Sequence, residues 1–187
     1  MKGTLIHIIS ALGLCLITQT IFHEIGHFIG GVISGWKLLY IQIYKLALKR
    51  NTKTNKFNIV WVDELSYQCI MYPKSLETNA FLYTLGGCIA NLITGLMGML
   101  LLILVKMDLV SWIYTWCFSA YGIGFSIMNI IADVQRVCND GACYKFLKSS
   151  DQTKLCHNAQ LLLAKKLIEG LSYRQIGKEL ICLCPSV

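Results

Sequence analysis

The sequence predicts a mainly α-helical, polytopic membrane protein, with three transmembrane helices, a membrane-associated β-hairpin after the first, and a helical cytoplasmic tail. Three observations carry this. Only 14 % of the 187 residues are charged and 55 % are hydrophobic, whereas soluble domains carry about 25 % charge. Three segments free of formal charge, 3–23, 78–105 and 109–132, hold 21, 28 and 24 residues, and a bilayer-spanning helix needs roughly 20. The basic residues are also one-sided. With three spans, 36–77 and the chain after 133 share a side, and together they hold 15 of the 17 Lys and Arg; Lys2 and Lys106 are the other 2. The positive-inside rule puts the 15 in the cytoplasm and the N-terminus outside. A disordered chain, a secreted disulfide scaffold and an ordinary cytosolic enzyme are excluded by this composition. The net charge of +7 is clustered and predicts no nucleic-acid partner.

Taken in order, residues 1–147 form the expected core. The first span covers about 3–35. Its apolar run is too long for a secretory leader and lacks a small-x-small cleavage site. Residues 36–48 (WKLLYIQIYKLAL) and 57–62 (FNIVWV) are rich in β-branched and aromatic residues and flank a polar stretch, KRNTKTNK. This predicts a β-hairpin over about 36–62, lying on the membrane surface or offering an edge to an extended peptide. Spans two and three cover about 78–105 and 109–132. Gly95 and Gly98 mark close helix packing. Residues 148–187 form the tail. Leu155, Leu161, Leu162, Ala164 and Leu167 predict an amphipathic helix, ended by Gly170 and Ser172, with a second short helix beyond.

Charged residues deep in apolar segments are costly and mark function. The first is Glu24, inside His23-Glu24-Ile25-Gly26-His27. Residues four apart share a helix face, so both imidazoles can meet one metal ion. Two His at this spacing, with a Glu between them as general base, fit a zinc site of one ion per chain. A catalytic zinc takes a third protein ligand and keeps one position open. Asp133 and Asp140 both fall on the same side as the motif. Gly141, which permits close backbone approach or a sharp turn, favours Asp140 modestly. Asn91 is a polar side chain in a long apolar run and is expected to face the bundle interior or a cavity. Cys138, Cys143, Cys156 and His157 lack a standard zinc-finger spacing.

His23 to His27, the strand-like segment after it, Gly86-Gly87-x-x-x-Asn91, and Asn129 with Asn139-Asp140-Gly141 resemble the site-2 protease family of intramembrane zinc metalloproteases. The resemblance covers about residues 5–147. It implies that His23, His27 and Asp140 bind zinc and that Glu24 activates water. It also implies that Asn91 and Asn129 help hold substrate or the oxyanion. The family often has Asn-x-x-Pro before Asp-Gly; here the Pro position is Ala132, and the gap from Asn129 to Asp140 is long.

The expected function is therefore an intramembrane zinc endopeptidase. Its expected partners are a transmembrane or membrane-associated peptide substrate and the lipid bilayer, in a prokaryotic plasma membrane. A non-catalytic zinc-containing membrane binding protein is the alternative, and Glu24 argues against it, because a structural site needs no general base.

Overall fold

A computed structural model describes residues 2–51, 54, 56–131, 139–176 and 180. Among these residues the chain is mostly helical, with five helices and one two-stranded antiparallel hairpin.

α1 is one unbroken helix, Lys2–Ile33 (32 residues). At 1.5 Å per residue it is about 48 Å long, and His23 lies about 32 Å along it from Lys2, close to the thickness of a bilayer's hydrocarbon core. The helix ends in a Schellman motif. Gly35 has φ +81°, its N–H donates to the Val32 carbonyl (3.0 Å), and the Trp36 N–H donates to the Gly31 carbonyl (2.8 Å). Only glycine adopts this conformation without strain.

β1 (Lys37–Arg50) pairs with β2 (Phe57–Tyr72). The hairpin is longer than the expected 36–62, because β2 runs on to Tyr72. The register explains why. Tyr44 faces Ser66 but Leu46 faces Trp61, so β2 bulges at Val62–Leu65. The acidic pair Asp63-Glu64 at this bulge reads in sequence as the end of a strand. Gln42, buried beside the bulge, donates from Nε2 to the Tyr44 (2.8 Å) and Glu64 (2.7 Å) carbonyls. The half beyond the bulge exposes Leu46, Ile59 and Trp61. The near half packs Leu38, Cys69 and Met71 with Trp36, Ala80 and Leu147 in one buried cluster.

α2 (Phe81–Leu104) and α3 (Leu109–Ile130) complete the helical layer. Asp108 caps α3 by accepting from the Val110 and Ser111 N–H groups, an arrangement worth about 1 kcal/mol. Gly3–Ile33 and Phe81–Leu104 are long and apolar enough to cross a membrane. A third span is expected over 109–132, and α3 occupies that place without a formal charge. Its apolar residues, however, are diluted by Ser111, Thr115, Ser119, Ser126 and Asn129 and by two Trp and two Tyr. It is therefore not among the helices that meet the length and hydropathy of a span. The expected packing glycines are found between α2 and α3: a Cβ on Gly95 would meet Ile123, and one on Gly98 would meet Ser119.

α4 (Asp140–Ser149) and α5 (Asp151–Ile168) follow. α5 is the helix expected from the leucine pattern, and it ends at Gly170 (φ +87°). It is held to the segment between β2 and α2 by Asn158, whose Nδ2 donates to the Leu76 (2.7 Å) and Thr78 (2.8 Å) carbonyls. The short helix expected after Ser172 falls largely outside the described residues.

Candidate metal centre

Chain segments from α1, α2 and α4 converge along the C-terminal third of α1. The spacing of His23 and His27 brings both rings to one face, and Asp140 arrives at the first residue of α4. The described residues contain one group of three or more potential metal ligands, His23, His27 and Asp140. His23 Nε2 and His27 Nε2 are 3.1 Å apart. Asp140 Oδ2 lies 3.2 Å from the first and 3.4 Å from the second. Bonds of about 2.0–2.1 Å in a tetrahedral arrangement separate neighbouring ligands by about 3.3–3.4 Å, so the triangle fits one ion bound to all three atoms. The ligand atoms are mostly buried, with side-chain exposures of 14 %, 12 % and 19 %.

Asp140 is placed by its neighbours. The Asn139 side chain caps α4 by accepting from the Ala142 N–H (2.9 Å), and its Nδ2 donates to the Met128 (3.1 Å) and Ile131 (2.7 Å) carbonyls. One side chain thus ties the start of α4 to the end of α3. Gly141 makes the expected close approach: a Cβ there would run into the Ile130 carbonyl. It does so within the helix, without a sharp turn. Burial by itself raises the pKa of the Asp140 carboxyl. Its contacts with the His23 and His27 imidazoles outweigh that and hold it well below the usual carboxylate range. Asp133, the other candidate ligand, lies outside the described residues, as does Cys138.

Helix α2 contributes no ligand, yet it touches all three. The His27 Nδ1–H donates to the Tyr83 carbonyl (2.7 Å), which leaves the Nε2 lone pair facing the site. The Cys88 thiol donates to Asp140 Oδ2 (3.2 Å). The Asn91 amide lies 3.2 Å from His23 Nδ1. α2 comes this close because Gly26 and Gly86 put the α1 and α2 backbones in direct contact. Gly87 faces the two rings, and a Cβ there would lie 2.6 Å from each Nε2. Tyr83 is itself fixed: its hydroxyl donates to the Cys69 carbonyl (2.9 Å) and its ring stacks on Trp36 at 4.6 Å.

A cavity of about 310 Å³ opens beside the triangle, bordered by Glu24, Thr84, Asn139 and His157, with Tyr67, Gln68 and Cys69 of β2. Glu24 is buried (7 % exposed) and shares the cavity wall with Cys69 of β2. The strand bordering the site is therefore β2. Burial pushes the Cys69 thiol up to about 12, and Cys69 is not part of the His23–His27–Asp140 group. Asn91 is fully buried behind His23. Asn129 is not in the cavity wall; its amide donates to the Phe125 carbonyl of its own helix (3.0 Å). Sequence reasoning missed Cys88, Asn139 and the Tyr83 carbonyl. Asn139 was visible as an Asn just ahead of a helix, which is a capping signal, whereas a backbone carbonyl leaves no trace in sequence.

The chain matches no family model, no curated protein and no solved structure.

Proposed function

We propose that this chain is an intramembrane zinc endopeptidase of the site-2 protease kind, acting on transmembrane or membrane-associated peptides. The observation that carries the reading is the His23–His27–Asp140 triangle with Glu24 in the wall of the same cavity, in the C-terminal third of a helix apolar enough to span a bilayer. Two imidazoles and one carboxylate are a borderline-soft donor set. It suits zinc and not calcium or magnesium, which take oxygen ligands.

His23, His27 and Asp140 would hold the zinc, which would supply Lewis acidity there and make water acidic enough to ionise near about pH 7. Glu24 takes the proton from the attacking water and passes it to the leaving amine. Helical amides are shielded by their own hydrogen bonds, so a substrate helix must unwind to be cut. β2 borders the cavity at Tyr67–Cys69 and is positioned to hold the extended segment. In this reading α3 crosses the membrane as the third span. Its polar residues are tolerated because Ser119 and Ser126 are turned inward, away from lipid. The site then faces the cytoplasm, on the side of the 15 basic residues.

The test uses purified chain in liposomes with a panel of single-span peptides, with products read by mass spectrometry. Wild type yields products that vanish with chelator and return with zinc. Glu24→Gln keeps its metal and loses roughly 10²- to 10⁴-fold in rate, the range for removing a general base. Equal cleavage by Glu24→Gln refutes the proposal.

A further inference from the structure

We infer that Asn91 is a positioning residue for the metal centre: its side-chain oxygen selects the tautomer of His23 that can bind the ion. The inference rests on the metal-site reading above and goes beyond it.

His23 Nε2 faces His27 Nε2 and Asp140 Oδ2. For Nε2 to bind a metal its lone pair must be free, so a neutral His23 must carry its proton on Nδ1. The group opposite Nδ1 is Asn91, at 3.2 Å. Without an ion, Asn91 Nδ2 donates to the Nδ1 lone pair, and the His23 Nε2–H donates to Asp140. That arrangement cannot take up metal, because it has a proton where the ion must sit. With the ion bound, Nδ1–H becomes a donor, and of the two amide atoms only Oδ1 can accept from it. Asn91 Oδ1 is buried and has no hydrogen-bond partner, so it breaks no bond when the amide turns over to face Nδ1. Buried polar atoms without partners are rare and call for a reason. An amide poised to turn supplies one.

His27 has the same device in fixed form, since its Nδ1–H meets the Tyr83 carbonyl at 2.7 Å, an atom that can only accept. Metal-bound histidines generally carry such an outer partner. Both partners come from α2, two helical turns apart. Asn91 has no exposed surface, so it acts through His23 and not by touching substrate.

The test is zinc affinity of the full-length chain in detergent, by competition with a chromophoric chelator. A carboxylate at position 91 can accept from Nδ1–H but cannot donate, whereas a leucine can do neither. Asn91→Asp is expected to bind zinc within about threefold of wild type, or more tightly. Asn91→Leu is expected to bind it 10- to 100-fold more weakly, the usual effect of losing an outer partner. Helical content and monodispersity report on folding. Asn91→Asp by itself decides if the leucine variant does not fold, because an affinity loss of tenfold or more there overturns the inference. Undiminished affinity in a folded Asn91→Leu also overturns it and leaves the metal site standing. Wild type without zinc removes both.

Discussion

Gly87→Ala tests the geometry of the centre without altering any ligand. The added Cβ would lie 2.6 Å from both His23 Nε2 and His27 Nε2 and 2.5 Å from His23 Cε1. Carbon contacts are comfortable from about 3.5 Å, so each ring must retreat by about 0.9 Å. Metal–ligand bond lengths hold to within about 0.2 Å, so rings that retreat so far no longer reach an ion held by Asp140. Zinc affinity is expected to fall at least 100-fold, about 3 kcal/mol. The helix itself is unharmed, because alanine favours a helix over glycine. Gly124→Ala is the control, since a Cβ there meets nothing within 4 Å. The assay is zinc content after dialysis against a weak chelator, by plasma mass spectrometry, with circular dichroism for folding. A folded Gly87→Ala that keeps its zinc refutes the placement of α2 against the two histidines.

Asn158→Leu removes both hydrogen bonds to the Leu76 and Thr78 carbonyls. At about 1–3 kcal/mol for each buried group left unpaired, the thermal midpoint in detergent is expected to drop by about 5 °C or more with zinc content unchanged; an unchanged midpoint contradicts the clamp. Burial lowers the pKa of His157, whereas the unfolded chain titrates near about 6.5. Below that pH the unfolded state binds the extra proton, so stability is full above about 6.5 and declines as pH falls towards the folded-state value. His157→Gln is expected to flatten that decline in thermal melts between pH 7 and 5, and an unaltered slope counts against it. Asp108→Ala removes the cap of α3 and is expected to cost about 1 kcal/mol without affecting zinc content. Loss of zinc in that variant contradicts a purely local role.

The parts of the centre legible in sequence are those set by local periodicity. His23 and His27 are four apart on a helix that proves unbroken, so the motif already contains their shared face. Asp140 is 113 positions beyond His27, and no local periodicity joins them: membrane side, Gly141 and the family resemblance were what pointed to it. Asn91 stood out as one polar group in an apolar run, but its partner could not be read, because the contact joins residues 68 positions apart. The second half of β2 was hidden by Asp63-Glu64, which imitates a strand end and proves to be a bulge closed by Gln42. Absence of charge located α3 as a helix, while its serines and aromatics keep it out of the set of helices apolar enough to span. The support from Tyr83 and Cys88 depends on how closely α1 and α2 approach. Two glycines on different helices set that distance, and no single stretch of sequence reveals it.

The most direct test of the account is the zinc content of the detergent-purified chain, measured together with His27→Ala, Asp140→Ala, Asp133→Ala and Glu24→Gln. The account predicts about one zinc in wild type, as a single catalytic site requires. It predicts the same in Asp133→Ala and Glu24→Gln, and none in His27→Ala or Asp140→Ala. A wild type without metal, or zinc that survives Asp140→Ala and disappears with Asp133→Ala, contradicts it.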